Sequence, residues 1–165
     1  MGNSRIEIRY AVLISLLMLL WLALEFLVGL HDTFIAYHPY ITMLALIIPV
    51  VCARLAVKEK TEELNGRINF KQAFTTGAIV AALAAVFSLP VQVVFHLLIN
   101  PDFFDNMIAY AVKRAELNHL DVAAASADAT AYFNLQSYLL MSFAGTLIFG
   151  LLIAAFMAWR MRTIK

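Results

Sequence analysis

The chain contains 165 residues, of which 63% are hydrophobic and 14% are charged, and its net charge is +1. A soluble domain is usually nearer half apolar and a quarter charged, so the composition argues against an ordinary soluble protein. The small net charge does not indicate a class of partner, because the charged residues are unevenly distributed along the chain and their positions carry the information. The single cysteine, Cys52, excludes an internal disulfide and a CxxC metal or redox motif, and we interpret it as an apolar packing residue.

The apolar residues fall in four long blocks, and a helix needs about 20 of them to cross a bilayer. Within a single domain, 1–165, the sequence predicts spans at about 11–30, 40–57, 74–99 and 135–159. Proline is tolerated inside a span when neighbouring groups satisfy the freed carbonyl. We therefore expect kinks, not helix ends, near Pro49 and Pro90.

The loop between spans three and four is predicted to contain a further helix. Asn100-Pro101-Asp102 has an N-cap residue, a proline and an acidic residue in the order that starts a helix. Apolar residues then recur on one face, which predicts an amphipathic helix over about 101–120 on the outer side. Ser126 is a candidate cap for the last span. The predicted fold is thus an all-α integral membrane protein, a small bundle of four transmembrane helices with this additional outer helix.

Lys and Arg predict the orientation, since they are enriched in cytoplasmic segments. Ten of the twelve basic residues lie in the N-terminal tail, in the C-terminal tail, or between Arg54 near the end of span two and the start of span three. The loop between spans three and four has only Lys113 and Arg114. Four spans with this distribution predict that both termini are cytoplasmic.

Small residues recur every four positions in two of the spans and predict close helix packing. Inside lipid, helices associate where small side chains let their backbones approach. We therefore expect spans three and four to pack closely, with each other as one candidate pair. The residues concerned are Gly77, Ala81 and Ala85 in span three, and Ser142, Thr146, Gly150 and Ala154 in span four.

Three stretches, in matching order and spacing, resemble a bacterial membrane family catalogued as domain of unknown function 4199. They are Leu24–Asp32 followed by His38, Asn65–Phe74 followed by Gly77, and Ile99–Phe104. The sequence Asn65-Gly66-Arg67 departs from the family, whose members often have two glycines there. The resemblance implies four spans and a bacterial inner membrane. It implies no activity and transfers no catalytic or binding residue.

Glu25 is the only charged residue in the first predicted span. A carboxylate within a membrane is costly unless it is paired, protonated or faces protein or water. Gln92, His96 and Asn100 share one helical face of span three, near the same outer level. We therefore expect Glu25 to contact Gln92 or His96. We favour a structural polar clamp over a proton- or ligand-responsive site, because no second intramembrane acid or base forms a relay.

A second, weaker cluster is expected on the outer side, formed by His31, Asp32, His38 and Asp102. Imidazole and carboxylate groups are zinc ligands, but no HxH, HxxH or HExxH spacing supports a metal site. We interpret the histidines as interface and capping residues, and we predict neither a metal nor a cofactor.

The sequence contains no GxSxG, HExxH, P-loop or GxGxxG motif. Its basic residues flank the spans, so topology explains them and no nucleic-acid partner is predicted. We favour a non-catalytic subunit, anchor or scaffold of the bacterial inner membrane, packing in the bilayer against another membrane protein or against copies of itself. The first alternative is a small oligomeric transporter or channel that uses Glu25 and His96. The second is a membrane enzyme acting on a lipid or a lipid-linked substrate, whose site would be formed by Glu25, His31, Asp32, His96 and Asp102.

Overall fold

The computed structural model describes residues 5–164, and within them every regular element is a helix. Four helical segments are long and apolar enough to cross a membrane, and a further helical region separates the third from the fourth. The predicted fold class is therefore confirmed. The four segments are α1 (Arg5–Leu27), the composite segment Ile35–Glu63, the segment Phe70–Ile99 and the last helix, Leu135–Met161.

The second span is longer than predicted and is not one regular helix. A 3-10 turn at Ile35–Tyr37 leads into α2 (His38–Ile41), a second 3-10 turn covers Thr42–Leu46, and α3 (Ile47–Glu63) follows. Pro49 lies in the first turn of α3. Because proline has no N–H and its ring clashes with the carbonyl four residues earlier, the chain before it tightens into a 3-10 turn. The irregularity expected at Pro49 thus precedes the proline.

The third span begins at a capping box, four residues before the predicted start. In α4 (Phe70–Val94), the Asn69 side chain accepts from the Gln72 backbone N–H at 2.9 Å, and the Gln72 side chain accepts from the Asn69 N–H at 3.0 Å. Pro90 lies inside α4, which ends in a wide π-helical turn at Phe95–Ile99. Such a turn contains one residue more than an α-helical turn, which changes the direction of the residues after it.

Two helices, α5 (Phe103–Leu117) and α6 (Val122–Tyr132), connect the third span to α7 (Leu135–Met161). Two predicted caps were wrong. Asn100 does not cap α5, which follows Asp102, because the π-helical turn directs the Asn100 side chain to His31 instead. Ser126 lies inside α6, and Asn134 caps α7 by accepting from the Ser137 N–H at 2.9 Å.

Contacts between distant residues place both ends of the described chain on one side of the bundle. Arg9 at the start of α1 pairs with Glu59 near the end of α3. After α7, the Thr163 backbone N–H donates to the Ile68 carbonyl at 2.9 Å, and the Ile68 N–H donates to the Thr163 hydroxyl at 2.8 Å. We call this side the basic end. The opposite side, where α1 meets α2 and α4 meets α5, is the histidine end.

The two stripes of small residues meet between α4 and α7. A Cβ built on Gly77 would lie 2.7 Å from Cβ of Ala154, and one built on Gly150 would lie 2.6 Å from Cβ of Ala81. These are closer than ordinary van der Waals contacts, so the glycines allow the two backbones to touch. The two members of the α7 stripe nearer the histidine end, Ser142 and Thr146, line a cavity.

Candidate functional site

Glu25 lies in the last turns of α1 at the histidine end, and only 2% of its surface is exposed. Its Oε1 atom accepts a hydrogen bond from the Trp21 indole N–H at 2.6 Å, one helical turn earlier. Its Oε2 atom lies 3.4 Å from Nε2 of His31 and 3.7 Å from Nε2 of His38. The carboxylate is therefore oriented by α1 itself and presents its second oxygen to two imidazoles.

A Schellman motif at the end of α1 reverses the chain, so that His31 in the following loop packs against α1. The Leu30 N–H donates to the Glu25 carbonyl at 2.9 Å and the Gly29 N–H donates to the Phe26 carbonyl at 3.0 Å. Gly29 has φ +79°, a left-handed conformation that favours glycine. The turn reverses the chain, and His31 becomes almost fully buried beside Glu25.

Asn100 fixes the other side of the His31 ring. Its amide nitrogen lies 3.2 Å from Nδ1 of His31. An amide N–H can only donate, so in this arrangement Nδ1 accepts and the proton on Nε2 faces Glu25. The rings of Phe95 and Phe103 pack edge-on against the same imidazole, with centroids at 5.5 Å and 4.9 Å. His31 is thus held by polar partners at both nitrogens inside an aromatic shell.

Gln92 and His96 form a second polar group. Nε2 of His96 donates to the Gln92 side-chain oxygen at 2.9 Å, and the Gln92 nitrogen donates to the Ser142 hydroxyl on α7 at 3.2 Å. Nδ1 of His96 is buried and has no hydrogen-bond partner among residues 5–164. The Phe103 ring packs against this imidazole, with its centroid at 4.7 Å, as it also does against His31.

The structure divides the polar residues of the third span between these two groups. The hydrogen bonds described for residues 5–164 include none between Glu25 and either Gln92 or His96, the contacts expected from the sequence. Instead, Asn100 joins the Glu25 group through His31. Four-residue spacing places Asn100 on the face of His96 only if the helix is regular. The π-helical turn adds a residue and changes that face.

The outer cluster expected from the sequence comes together only in part. His31 and His38 converge on Glu25, and one potential ligand atom from each of the three lies within 4.8 Å of the others. The exposed Asp32 carboxylate accepts from the Thr33 backbone N–H, which lowers the pKa of that carboxyl. Asp102 is exposed at the start of α5. Neither aspartate belongs to the buried group.

A cavity of about 850 Å³ adjoins both polar groups in the histidine-end half of the bundle. Apolar and aromatic side chains form most of its wall, including four methionines, Met18, Met43, Met107 and Met141. Spans two and four contact each other near the basic end, where Val57 packs with Met157. Farther along they diverge, since neither α2 nor the turn Thr42–Leu46 packs extensively against α7, and Met43 and Phe149 line the cavity while remaining exposed. The cavity therefore opens sideways between these two spans.

The polar groups that line the cavity are few and come from several helices. The polar pair Gln92 and Ser142 lies on one wall, with His38 and His96 also contributing. Arg114 of α5 lines the cavity, and its guanidinium lies 6.0 Å from the centroid of the Tyr110 ring, a cation–π distance. The cavity thus combines a large apolar volume with a positive charge at its α5 side.

The profile of a family described as Protein of unknown function (DUF4199) matches residues 9–163. The chain belongs to this family. No curated protein and no solved structure is significantly similar to it. The matched range contains the Glu25 group, the Gln92–His96 pair and the whole cavity wall, so these features lie within the family domain.

Two features of the site were not predicted, although the sequence contains a residue that indicates each of them. Gly29 follows the last residues of α1 and marks a helix C-terminus, which would have returned His31 toward Glu25. Arg114 is basic on the side where Lys and Arg are scarce, so topology does not account for it. The cavity itself had no signal in the sequence, because it depends on the divergence of two spans.

Proposed function

We propose that this protein is a multi-pass membrane protein that binds an anionic amphiphile, with the acyl chain in the cavity and the charged headgroup near Arg114. The observation that carries the proposal is the cavity of about 850 Å³ that is bounded by the spans and by α5 and is open on one side. Its volume falls in the range of about 300–1,000 Å³ that is typical of small-molecule sites.

The wall of the cavity suits a flexible apolar chain. Methionine side chains are unbranched and polarizable, and they adapt to ligands of different shape. Four of the seven methionines in the chain line this one cavity. The sideways opening at Met43 and Phe149 faces the region that lipid tails occupy around spans of this length, so a lipid-like ligand has a route that avoids water.

The headgroup preference is argued from Arg114. Among residues 5–164 it forms no ion pair within 4.0 Å, so its charge is available to a ligand. Its side chain is exposed, and the Tyr110 ring supports the guanidinium beside the cavity. A guanidinium binds phosphate or carboxylate in a planar, two-pronged geometry. These properties favour an anionic headgroup over a zwitterionic one.

The cavity supports ligand binding more directly than the scaffold role expected from the sequence. A scaffold requires only packing surfaces, whereas an apolar cavity of this size that opens sideways offers van der Waals contacts to a bound apolar chain. We assign the protein to the bacterial inner membrane with the basic end in the cytoplasm, on the strength of the Lys and Arg distribution. The cavity would then lie in the outer half of the bilayer.

The test is retention of lipid by the purified protein. The protein is exchanged into mild detergent containing equal amounts of phosphatidylglycerol and phosphatidylethanolamine, and retained lipid is counted by native mass spectrometry. We expect one retained phosphatidylglycerol per chain. Gly145→Phe should abolish retention, because a side chain at Gly145 meets no atom within 4 Å of its Cβ and extends into the cavity. The matched control is Ile148→Phe, at an exposed position on the same helix.

The headgroup is tested by a second pair of variants. Arg114→Gln should remove the preference for phosphatidylglycerol, whereas Lys113→Gln, which neutralises the adjacent exposed residue outside the cavity wall, should not. Unchanged retention by Gly145→Phe would refute binding in the cavity. An unchanged lipid preference in Arg114→Gln would refute the headgroup assignment alone.

A further inference from the structure

The geometry points to a Zn²⁺ site formed by Glu25, His31 and His38. The three residues come from the end of α1, the loop that follows it and the first turn of α2. They share no sequence motif for zinc, yet they place one oxygen and two nitrogen donors within 4.8 Å of one another. Zinc binding here does not require the ligand proposed for the cavity, although His38 belongs to both sites.

The distances suit a tetrahedral ion with little rearrangement. Zinc binds imidazole nitrogen and carboxylate oxygen at about 2.0–2.2 Å, which puts neighbouring ligand atoms about 3.3–3.5 Å apart. The Glu25 Oε2 atom already lies 3.4 Å from Nε2 of His31 and 3.7 Å from Nε2 of His38. The imidazole nitrogens of His31 and His38, which lie within 4.8 Å of each other, would have to move closer together. The His38 side chain, at 15% exposure, has room to move, whereas that of His31, at 1%, is fixed.

Both fixed ligands have an outer partner that orients them, as zinc ligands usually do. The Trp21 N–H occupies Oε1 of Glu25 and leaves Oε2 to face the histidines. Asn100 lies against Nδ1 of His31. When Nε2 binds a metal, the neutral ring carries its proton on Nδ1, and rotation of the Asn100 amide by half a turn presents the oxygen that accepts it.

The electrostatics of the group also favour a cation. A buried carboxylate is stable when it is paired or binds a metal. Among residues 5–164 the only basic groups within 4.0 Å of the Glu25 carboxylate are His31 and His38, and the rings of Phe95 and Phe103 pack against the first of them. A divalent ion would pair with the carboxylate while both imidazoles stay uncharged, and the remaining positive charge would favour an anionic fourth ligand such as hydroxide. The crowded aromatic shell favours the low coordination number of zinc over an octahedral ion.

Three protein ligands leave one coordination position for water or another small ligand. His38 lines the cavity as well as the Glu25 group, so that position would be reached from the cavity side. His96 is not in the ligand set, because among residues 5–164 the ligand atoms that lie within 4.8 Å of one another come from Glu25, His31 and His38.

The experiment measures zinc binding to the tag-free protein in mild detergent after treatment with a chelator. Isothermal titration with Zn²⁺ alone should show one ion per chain. Glu25→Gln and His38→Gln should each weaken binding by more than about 100-fold, beyond the 10–100-fold typical of second-shell changes. The control is His119→Asn, an exposed histidine at φ +54° where asparagine is well tolerated.

A separate pair of variants tests whether Asn100 positions the His31 ring for zinc binding. Asn100→Ala should weaken zinc binding by about 10–100-fold, and Asn100→Asp should restore it because a carboxylate also accepts from Nδ1–H. The wild-type protein gives a test that needs no variant: replacement by Co²⁺ should produce the visible absorption of a tetrahedral ion. No stoichiometric zinc on monodisperse wild-type protein, or full binding by Glu25→Gln and His38→Gln, would overturn the inference.

Discussion

Replacing Gly150 with alanine should destabilise the bundle, although alanine is the better helix former. The new Cβ would lie 2.6 Å from Cβ of Ala81 and 3.3 Å from its Cα, whereas ordinary contacts begin near 3.4 Å. Relieving this overlap requires α4 and α7 to separate, and overpacking of this kind costs about 1–3 kcal/mol. The higher helix propensity of alanine stabilises the folded state by about 0.5–1 kcal/mol relative to glycine. The net expectation is a loss of about 0–2.5 kcal/mol, centred slightly above 1 kcal/mol, in the free energy of unfolding.

The protein contains its own reporter for this measurement. Cys52 is the only cysteine and is 3% exposed in α3, so a dye that fluoresces on reacting with a thiol follows unfolding in detergent during heating. A change of 1 kcal/mol corresponds to roughly 2–4 °C in the midpoint for a chain of this size. Gly150→Ala should therefore lower the midpoint by several degrees.

Gly145 supplies the matched control on the same helix. A Cβ there meets no atom within 4 Å, so Gly145→Ala should raise the stability by up to about 1 kcal/mol through helix propensity alone. The two alanine variants are thus expected to shift the midpoint in opposite directions. Equal shifts of the same sign would refute the conclusion that backbone contact at Gly150 holds α4 against α7.

Two further predictions concern the buried carboxylate and the orientation of the chain. Glu25→Leu should lower the thermal midpoint, because it leaves the Trp21 N–H and the His31 Nε2–H unpaired at about 1–3 kcal/mol each; Glu25→Gln, which keeps an acceptor, should lower it less. In a Cys52→Ser background, a cysteine replacing Glu63 at the basic end should resist a membrane-impermeant thiol reagent in intact spheroplasts, whereas one replacing Asp121 should be labelled.

Each of these has an outcome that would contradict it. If Glu25→Leu melts at the wild-type temperature, the buried contacts of Glu25 contribute nothing to stability. If the cysteine at Glu63 is labelled before lysis and the one at Asp121 is not, the orientation is inverted. The permeabilised sample is the control for both positions, since each cysteine should then react.

The four spans can be predicted from the sequence because the requirements that a bilayer imposes on a segment are local. Backbone groups inside a bilayer must be satisfied within the segment, so each long apolar run forms a helix whatever its neighbours do. The positions of Lys and Arg predict an orientation for the same local reason. The boundaries were less accurate: the capping box at Asn69 and the 3-10 turns before Pro49 extended two spans beyond their apolar blocks.

Apart from the turn that Gly29 marks, the site depended on geometry that no local pattern contains. The π-helical turn at Phe95–Ile99 moved Asn100 from the His96 face to His31, and the turn at Gly29 returned His31 to Glu25. A single extra residue in a helical turn changes the direction of every side chain that follows, so a four-residue spacing cannot predict such a convergence. The cavity likewise arises where spans two and four diverge. The sequence alone therefore determined which segments form helices long and apolar enough to cross a membrane, while tertiary packing decided which polar groups meet and what space they border.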